Sequence, residues 1–186
     1  MALEILKFPD PRLREKALEV TREDVDDALR AIAHEMGELM YAEPGIGLAA
    51  TQVGVNRRLI VMDLHHAESG ERNLRMLLNP EIVEATGDIT SEAEACLSVP
   101  DYSADVPRRA RVRVRARTLD WEPVEFDCEG IESICFQHEI DHLDGILYID
   151  RISKLKRDLY VRKRRKQLKR EREEEEEATV GEGLEL

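Results

Sequence analysis

The chain has 186 residues, of which 42% are hydrophobic and 37% charged, and its formal net charge is −12. This length is enough for one domain with its own core plus a tail. The sequence contains no stretch of eighteen or more apolar residues, which argues against a membrane span. It has three cysteines and no signal-peptide pattern, so we expect a cytoplasmic protein whose thiols serve as metal ligands more readily than as disulfides.

The first predicted helix follows an extended N-terminal segment. The prolines of "FPDPRLR" (8–14) discourage helix in the residues before them. A helix is predicted over residues 22–42, because Thr21 and Asp24 match an N-terminal capping pattern and apolar residues recur at helical spacing. The members of this apolar stripe are Val25, Leu29, Ile32, Met36, Leu39 and Met40.

Four segments after this helix are predicted strands. Residues 57–64 and 75–85 are largely apolar, and residues 122–130 form a partner for the strand at 108–118. In that strand, "RRARVRVRART", arginine alternates with valine or alanine, so one face is basic. Such a face could contact nucleic acid, but the sequence favours a solvated sheet face.

A second helix is predicted over residues 131–143. It contains "FQHEIDHLDG", in which His138 and His142 lie four residues apart and share one face with apolar residues. Both imidazoles are therefore expected to point inward, where polar rings need partners. A pair spaced like this can bind one metal ion, with Glu139 acting on water. The HExxH pattern is short, so hydrogen-bonded core histidines and a solvated helix face stay as alternatives.

A catalytic metal of this kind usually has three protein ligands and one open position. Cys135 lies one turn before His138 and is not excluded by its spacing, whereas Cys128 lies in a predicted strand. Cys96 stands out because "SEAEACLSVP" surrounds it with small residues in a segment that need not be helical. Cys96 with His138 and His142 would offer one thiolate and two imidazoles, and would leave a fourth position for water.

Charge is distributed unevenly along the chain. Residues 1–150 carry 16 basic and 31 acidic residues, a net charge of −15. Residues 151–170 carry 11 basic residues and 1 acidic residue, a net charge of +10. Residues 171–186 carry 1 basic and 8 acidic residues, a net charge of −7. Such blocks indicate an acidic body, a basic arm and an acidic end. We therefore divide the chain into a main domain (1–150), a basic C-terminal helix (151–172) and an acidic, disordered tail (173–186).

Three separated motifs indicate a family. "GIGLAATQ" (45–52), "EACLS" (94–98) and "QHEIDH" (137–142) stand in this order at suitable intervals, and together they resemble the three motifs of peptide deformylase. The segments "FPDPRLR" and "YAEP" resemble that family too, and the resemblance covers about residues 3–150, the expected catalytic domain. We expect an α+β fold of short antiparallel sheets around a central metal-binding helix, with an N-terminal helix and a C-terminal helical extension.

The resemblance implies a metal-dependent hydrolase. Peptide deformylases remove the formyl group from the N-terminal formyl-methionine of nascent polypeptides and release formate. Carried over to this sequence, Cys96, His138 and His142 would bind one divalent ion, and Glu139 would be the general base and acid. The family implies Fe²⁺ as the physiological ion, with Zn²⁺, Ni²⁺ or Co²⁺ also able to occupy the site. Ligand softness alone would favour zinc.

The resemblance also assigns groups that would contact the substrate. The side-chain amide of Gln52 and the backbone N–H of Leu97 are the implied donors to the oxyanion. Backbone groups of Ile46, Gly47 and Ala95 are implied to pair with the peptide as an added strand. This would hold formyl-methionine in an extended conformation beside the metal.

The methionine side chain is expected in an apolar pocket near His138, formed by Ile131, Ile134 and Cys135. The second motif departs from the family pattern, which commonly reads EGCLS. Ala95 stands at the glycine position and places a methyl group beside the cleft. Glu92 falls where an apolar pocket-edge residue is expected. Both departures concern substrate affinity and leave the metal ligands intact.

Three other functions compete with deformylation. An HExxH metallopeptidase would normally recruit a third His or Glu, and a structural metal site would need a fourth protein ligand and leave Glu139 idle. A nucleic-acid-binding module would use the basic arm, but the acidic body argues against it. As partners we expect nascent formyl-methionyl polypeptides and a ribosome contact through residues 151–172, with no membrane contact and a monomeric state.

Overall fold

The computed structural model describes residues 3–182 and, apart from residues 67, 68 and 175–182, their side chains. The chain forms two units, Met1–Arg151 and Ile152–Leu186. The helices and strands in chain order are α1 (Asp27–Ala42), β1 (Gly47–Ala49), β2 (Leu59–Met62), α2 (His66–Ser69), β3 (Arg75–Cys96), β4 (Val99–Arg117), β5 (Pro123–Glu129), α3 (Gly130–Leu143) and α4 (Lys154–Glu182). No helix within residues 3–182 is long and apolar enough to cross a membrane.

The strands of the described chain form an antiparallel sheet in the order β1-β2-β3-β4-β5. The predicted α+β class is confirmed. β3 and β4 have 22 and 19 residues, so the predicted strands 75–85 and 108–118 are parts of much longer ones. The rest of β3 was missed because it is mostly polar and exposed. Residues 99–107 of β4 were missed because prolines and polar residues interrupt the apolar pattern, although Val99, Ala104 and Val106 are buried. The β3–β4 hairpin pairs Cys96 with Val99, which places Cys96 beside the turn.

Helix α1 begins at Asp27, so the predicted start directly after Thr21 is wrong. The Asp26 side chain caps the helix by accepting a hydrogen bond from the backbone N–H of Leu29 at 2.8 Å. The backbone N–H and hydroxyl of Thr21 do donate to Asp24, but these bonds close a turn before the helix. Two acceptable caps stand a few residues apart in this sequence, and the second one starts the helix.

Two apolar clusters pack against opposite faces of β2. Leu59 and Val61 point into a cluster with residues of α1, including Met36. Ile60 and Met62 point into the other cluster, which contains residues of α3. Successive strand residues face opposite sides, so β2 is buried on both faces and lies between α1 and α3.

Helix α3 is the central helix of this unit. Every residue from Cys135 to Leu143 is buried, including five polar ones. Buried polar groups are costly unless they find partners. The five are Gln137, His138, Glu139, Asp141 and His142. Their partners therefore define the candidate site.

The outward face of β4 carries exposed arginines, as predicted. Each one pairs with at least one acidic residue on a neighbouring strand, so four arginines face five carboxylates, and these pairs leave no positive excess of the kind that binds phosphate. The pairs are Arg109–Asp88, Arg111–Glu129, Arg113–Glu84, Arg113–Asp127 and Arg115–Glu125.

Helix α4 belongs to the second unit and continues to Glu182, beyond the predicted helix end at residue 172. The expected disordered tail is therefore helical as far as the structure describes it, and residues 183–186 lie outside the described part. Glutamate is a good helix former, and Lys169 pairs with Glu173 one turn later. With 29 residues, the helix is about 43 Å long.

Candidate metal centre and cleft

The structure brings together the three predicted metal ligands. His138 and His142 occupy successive turns of α3, and their Nε2 atoms are 3.2 Å apart. Cys96, beside the β3–β4 turn, places its Sγ 3.2 Å from His142 Nε2. The ligand atoms of the three residues all lie within 4.8 Å of one another. One strand end and one helix therefore converge on a single point.

The other cysteines do not take part in this group. Cys128 lies in the core on β5, where burial raises its pKa to about 12. Cys135 is buried on α3, and burial raises its pKa well above the usual value. Its thiol points towards the carbonyl oxygen of Ile46, at 3.9 Å. The alternative of Cys135 as third ligand, which spacing alone left open, is thus disfavoured by geometry.

The donor set fits a divalent metal ion. One sulfur and two imidazole nitrogens at this separation suit Zn²⁺, Fe²⁺, Ni²⁺ or Co²⁺, and leave an open position in a four-coordinate site. A structural site would need a fourth protein ligand, and this group has three members among the described residues. Glu139 Oε2 is buried and has no hydrogen-bond partner in the described part of the chain. A buried carboxylate oxygen of this kind is typical of a group that acts on water or substrate.

Glu139 lies directly beside the ligand His138 on α3. Its side chain is buried, and burial raises its pKa to about 7. Its carboxylate lies against Gly47 of β1, so closely that a Cβ added there would be 2.5 Å from Oε1. A carboxyl group with a pKa near neutrality can both accept and return a proton. Gly47 leaves the space that this carboxylate occupies.

Gln52 is held in a fixed orientation next to the ligand cysteine. Its Oε1 accepts a hydrogen bond from the backbone N–H of Ala49 at 2.8 Å. Its Nε2 consequently points towards Ser98 Oγ at 3.1 Å and Cys96 Sγ at 3.6 Å. The backbone N–H of Ser98 also points at this sulfur, at 3.4 Å. These contacts hold the Gln52 amide and the ligand sulfur side by side.

A cleft of about 420 Å³ opens beside the three ligands. All the residues predicted to contact substrate line it, together with Gln52, Leu97 and Glu139. The predicted substrate contacts are Ile46, Gly47, Ala95, Ile131, Ile134 and Cys135. β1 is an edge strand of the sheet, so an extended peptide could pair with its open side.

The two departures from the family pattern both line this cleft. Ala95 is exposed and is not among the described non-glycine residues with positive φ. An alanine is therefore accommodated there without backbone strain. The residue with φ near 49° is Ala93, whose N–H donates to Asp105 at 3.0 Å. Glu92 is exposed at the rim and adds a carboxylate to the cleft.

Sequence reasoning missed a buried ion network behind His138. Glu94 Oε1 lies 2.8 Å from His138 Nδ1, and Arg108 makes two contacts with the same carboxylate. Although burial opposes ionisation, hydrogen bonds from His138 and Arg108 lower the pKa of Glu94 to about 2. The sequence does contain one indication of this network. Arg108 lies on the same, buried face of β4 as Val106 and Val112, and an arginine is rarely buried without a charged partner.

Comparison with known proteins agrees with this geometry. The family model described as polypeptide deformylase matches residues 2–158. The chain belongs to the peptide deformylase family. A peptide deformylase from Alkalilimnicola ehrlichii is 50% identical over 170 residues, which is 91% of this chain and 93% of that protein.

Solved peptide deformylase structures share this fold. The Legionella pneumophila enzyme has a TM-score of 0.81 and 38% identity, and the match covers 91% of this chain and 98% of that one. A peptide deformylase from Acinetobacter baumannii with Met-Ala-Ser bound has a TM-score of 0.74 and 34% identity, with 82% and 99% covered. Membership of this family supports deformylation over the metallopeptidase alternative, as does a third ligand that is a cysteine.

Proposed function

We propose that this peptide deformylase removes the formyl group from the N-terminal formyl-methionine of nascent polypeptides and releases formate, in the cytoplasm. The observation that carries the proposal is the convergence of Cys96, His138 and His142 beside the buried carboxylate of Glu139, in a cleft next to an open strand edge. Each residue type needed for amide hydrolysis is present within this one cleft.

Cys96, His138 and His142 would hold one divalent ion, and family resemblance favours Fe²⁺ over the Zn²⁺ that ligand softness suggests. Such an ion supplies Lewis-acid chemistry, which lowers the pKa of water and polarises a carbonyl group. The chain contributes the orientation of the ligands. Glu94 accepts a hydrogen bond from His138 Nδ1, so that Nε2 of this ring faces the other two ligand atoms.

Glu139 moves the proton. It takes the proton of the attacking water and returns it to the amine that leaves when the C–N bond of the formyl group breaks. Burial holds the pKa of its carboxyl group at about 7, so neither transfer is strongly uphill at neutral pH. Positioned acid–base groups contribute about 10²–10⁴-fold to rate.

Gln52 and Leu97 would stabilise the oxygen on which charge develops. The Gln52 amide is fixed through Ala49, so its NH₂ is oriented before substrate arrives. Leu97 follows the ligand Cys96 in the hairpin turn, and its N–H would be the second donor. A donor oriented in advance avoids reorganisation during the reaction, and one such donor is worth about 3–4 kcal/mol.

The peptide would bind as an added strand beside β1. Backbone groups of Ile46, Gly47 and Ala95 border the cleft, and Ile131 and Ile134 offer apolar surface for the methionine side chain. The relative from Acinetobacter baumannii with bound Met-Ala-Ser supports a peptide of this length as ligand. Cleft volumes of this size are typical of small-ligand sites.

The decisive experiment measures formate release from formyl-Met-Ala-Ser by anaerobically purified protein. Glu139→Ala should keep the metal and lose at least about 10²-fold in turnover, because the positioned base is gone. Glu132→Ala is the matched control, since this glutamate lies on the same helix but pairs with Arg75 outside the cleft lining. Near-normal turnover by Glu139→Ala, or equal cleavage of unformylated Met-Ala-Ser, would contradict the proposal.

We further propose that residues 151–172 contact the ribosome, and that the enzyme acts there as a monomer. The basic residues in this segment, eleven of them within 151–170, suit contact with RNA phosphates, and such contacts weaken as salt rises. The full chain should co-sediment with bacterial ribosomes at low salt. Truncation after Ser153 should abolish this and leave activity on a short formyl-peptide nearly intact. Equal sedimentation of the truncated protein would mean that α4 is only a solvated helix.

A further inference from the structure

A chain of alternating charges runs from Arg151 inward to the ligand His138. Arg151 Nε lies 2.5 Å from Asp141 Oδ2, and its Nη2 contacts the other oxygen of that carboxylate. Asp141 Oδ2 also accepts from Arg108 Nη1 at 2.6 Å. Arg108 in turn donates to both oxygens of Glu94, which receives His138 Nδ1 at 2.8 Å.

Arg151 is the one well-exposed member of this network. Its side chain is 39% exposed, whereas the side chains of Asp141, Arg108, Glu94 and His138 are 9%, 1%, 5% and 11% exposed. The four charges balance, as buried ion pairs require, because a buried charge that loses its partner is strongly destabilised. Arg151 is the member that can be changed with the least risk to folding, since it alone reaches solvent.

Arg108 joins the two elements that carry the metal ligands. It lies on β4 and binds Glu94, two residues before Cys96 on β3. It also binds Asp141, which is adjacent to His142 on α3. The same guanidinium therefore fixes the ligand strand relative to the ligand helix. Arg151, which directly follows a 3-10 helix at Tyr148–Asp150, holds Asp141 in the orientation that keeps Arg108 in place.

This network also orients the imidazole of His138. Arg108 donates to both oxygens of Glu94, and Glu94 Oε1 lies 2.8 Å from His138 Nδ1. Nε2 of the same ring then faces His142. We propose that Arg151 and Asp141 are positioning residues for the metal site, acting through Arg108 and Glu94 on His138. This inference rests on the proposed function only in taking the three residues as metal ligands.

The test measures metal affinity rather than turnover. Metal-free wild-type protein and Arg151→Ala are titrated with Co²⁺ against a chelator, and the ligand-field absorption of bound Co²⁺ is recorded. Partners behind metal ligands typically change affinity by 10–100-fold. Arg151 is several contacts away from the ion, so we expect a loss of about 10-fold and a shift of the absorption bands. Arg151→Gln repeats the test if the alanine variant fails to fold.

Arg14→Ala is the matched control. Its side chain is also 39% exposed and contacts a carboxylate, that of Asp150, outside this chain of charges. It should bind Co²⁺ as the wild type does, and the metal-free forms of the Arg14 and Arg151 variants should melt at similar temperatures. A purely structural role for Arg151 would lower its melting temperature and leave the Co²⁺ spectrum unchanged.

The inference would be overturned if Arg151→Ala bound Co²⁺ with wild-type affinity and spectrum. It would also be overturned if Arg151→Ala and Arg14→Ala lost Co²⁺ affinity equally. Wild-type protein that binds no Co²⁺ would overturn it together with the metal site. Formate release from formyl-Met-Ala-Ser is measured in parallel. A protein that binds Co²⁺ and shows the Arg151 effect but releases no formate would refute the proposed function and leave this inference standing.

Discussion

One added methyl group at Gly47 should disable the general base and spare the metal site. A Cβ at this position would lie 2.5 Å from Glu139 Oε1 and 2.9 Å from Cys135 Sγ, whereas ordinary contact begins at 3.4 Å. The carboxylate must therefore retreat by about 0.9 Å. Glu139 is only 4% exposed, so little free space is available. A misplacement of about 1 Å can cost ~10²-fold in rate.

The assay compares kcat and KM for formate release from formyl-Met-Ala-Ser, with metal content measured on the same samples. Gly47→Ala should lower kcat/KM by about 10²-fold and retain its metal, because the clashing atoms belong to Glu139 and Cys135 and not to a ligand. Gly70→Ala serves as control, since an added Cβ there meets nothing within 4 Å. Its left-handed φ of 70° would cost some stability but leave the cleft unchanged. Near wild-type kcat/KM in Gly47→Ala would refute the reasoning, and loss of metal would show that the methyl group acts elsewhere.

Three further substitutions test separate parts of the structure. Cys96→Ser should weaken metal binding while Cys128→Ser retains it, and equal metal content after dialysis against a chelator would contradict the ligand assignment. Asp26→Ala should lower the free energy of unfolding by about 1 kcal/mol through loss of the α1 cap, without changing kcat; an unchanged urea midpoint would argue against the cap. Glu92 lines a cleft that has no Lys or Arg among its described lining residues. Competing formyl-Met peptides should therefore favour Lys over Gln at the third residue by about threefold, or ~0.6 kcal/mol for one charge pair at about 7 Å in water, and Glu92→Gln should remove this preference.

The metal ligands were predictable for a physical reason. Spacing of four residues on a helix places His138 and His142 on one face whatever the rest of the fold does. Cys96 lies on a different element, so its approach depends on the β3–β4 hairpin. Its small neighbours singled it out, but spacing left Cys135 open as an alternative, and only the family resemblance decided between them. An apolar run located β2, which is buried on both faces, and the alternation of arginine with valine or alanine located part of β4.

Other features depend on choices that local pattern does not decide. The predicted start of α1 was wrong because Thr21 and Asp26 are both acceptable caps, and the helix uses the second, whose carboxylate accepts from the N–H of Leu29. Helix α4 continues beyond the predicted end at residue 172. The sequence changes there from basic residues to glutamates, but both kinds of residue favour helix. The long end of β3 is mostly polar and exposed, which apolar patterning does not register, and Pro100 and Pro107 interrupt the pattern in β4.

The polar residues of α3 show most clearly where sequence reasoning stops. Gln137 exchanges two hydrogen bonds with the backbone of Arg109, at 2.8 and 2.9 Å, and Asp141 binds Arg108 and Arg151. These partners lie 10 to 33 residues away in sequence, so helical spacing carries no information about them. These distant partners satisfy the hydrogen-bonding groups of Gln137 and Asp141, so the central helix can be buried although it carries polar side chains. Two buried polar atoms of α3 have no partner among the described residues, Glu139 Oε2 and Nδ1 of the ligand His142. Both belong to the proposed catalytic site, and Glu139 is the residue that the chemistry requires to exchange protons.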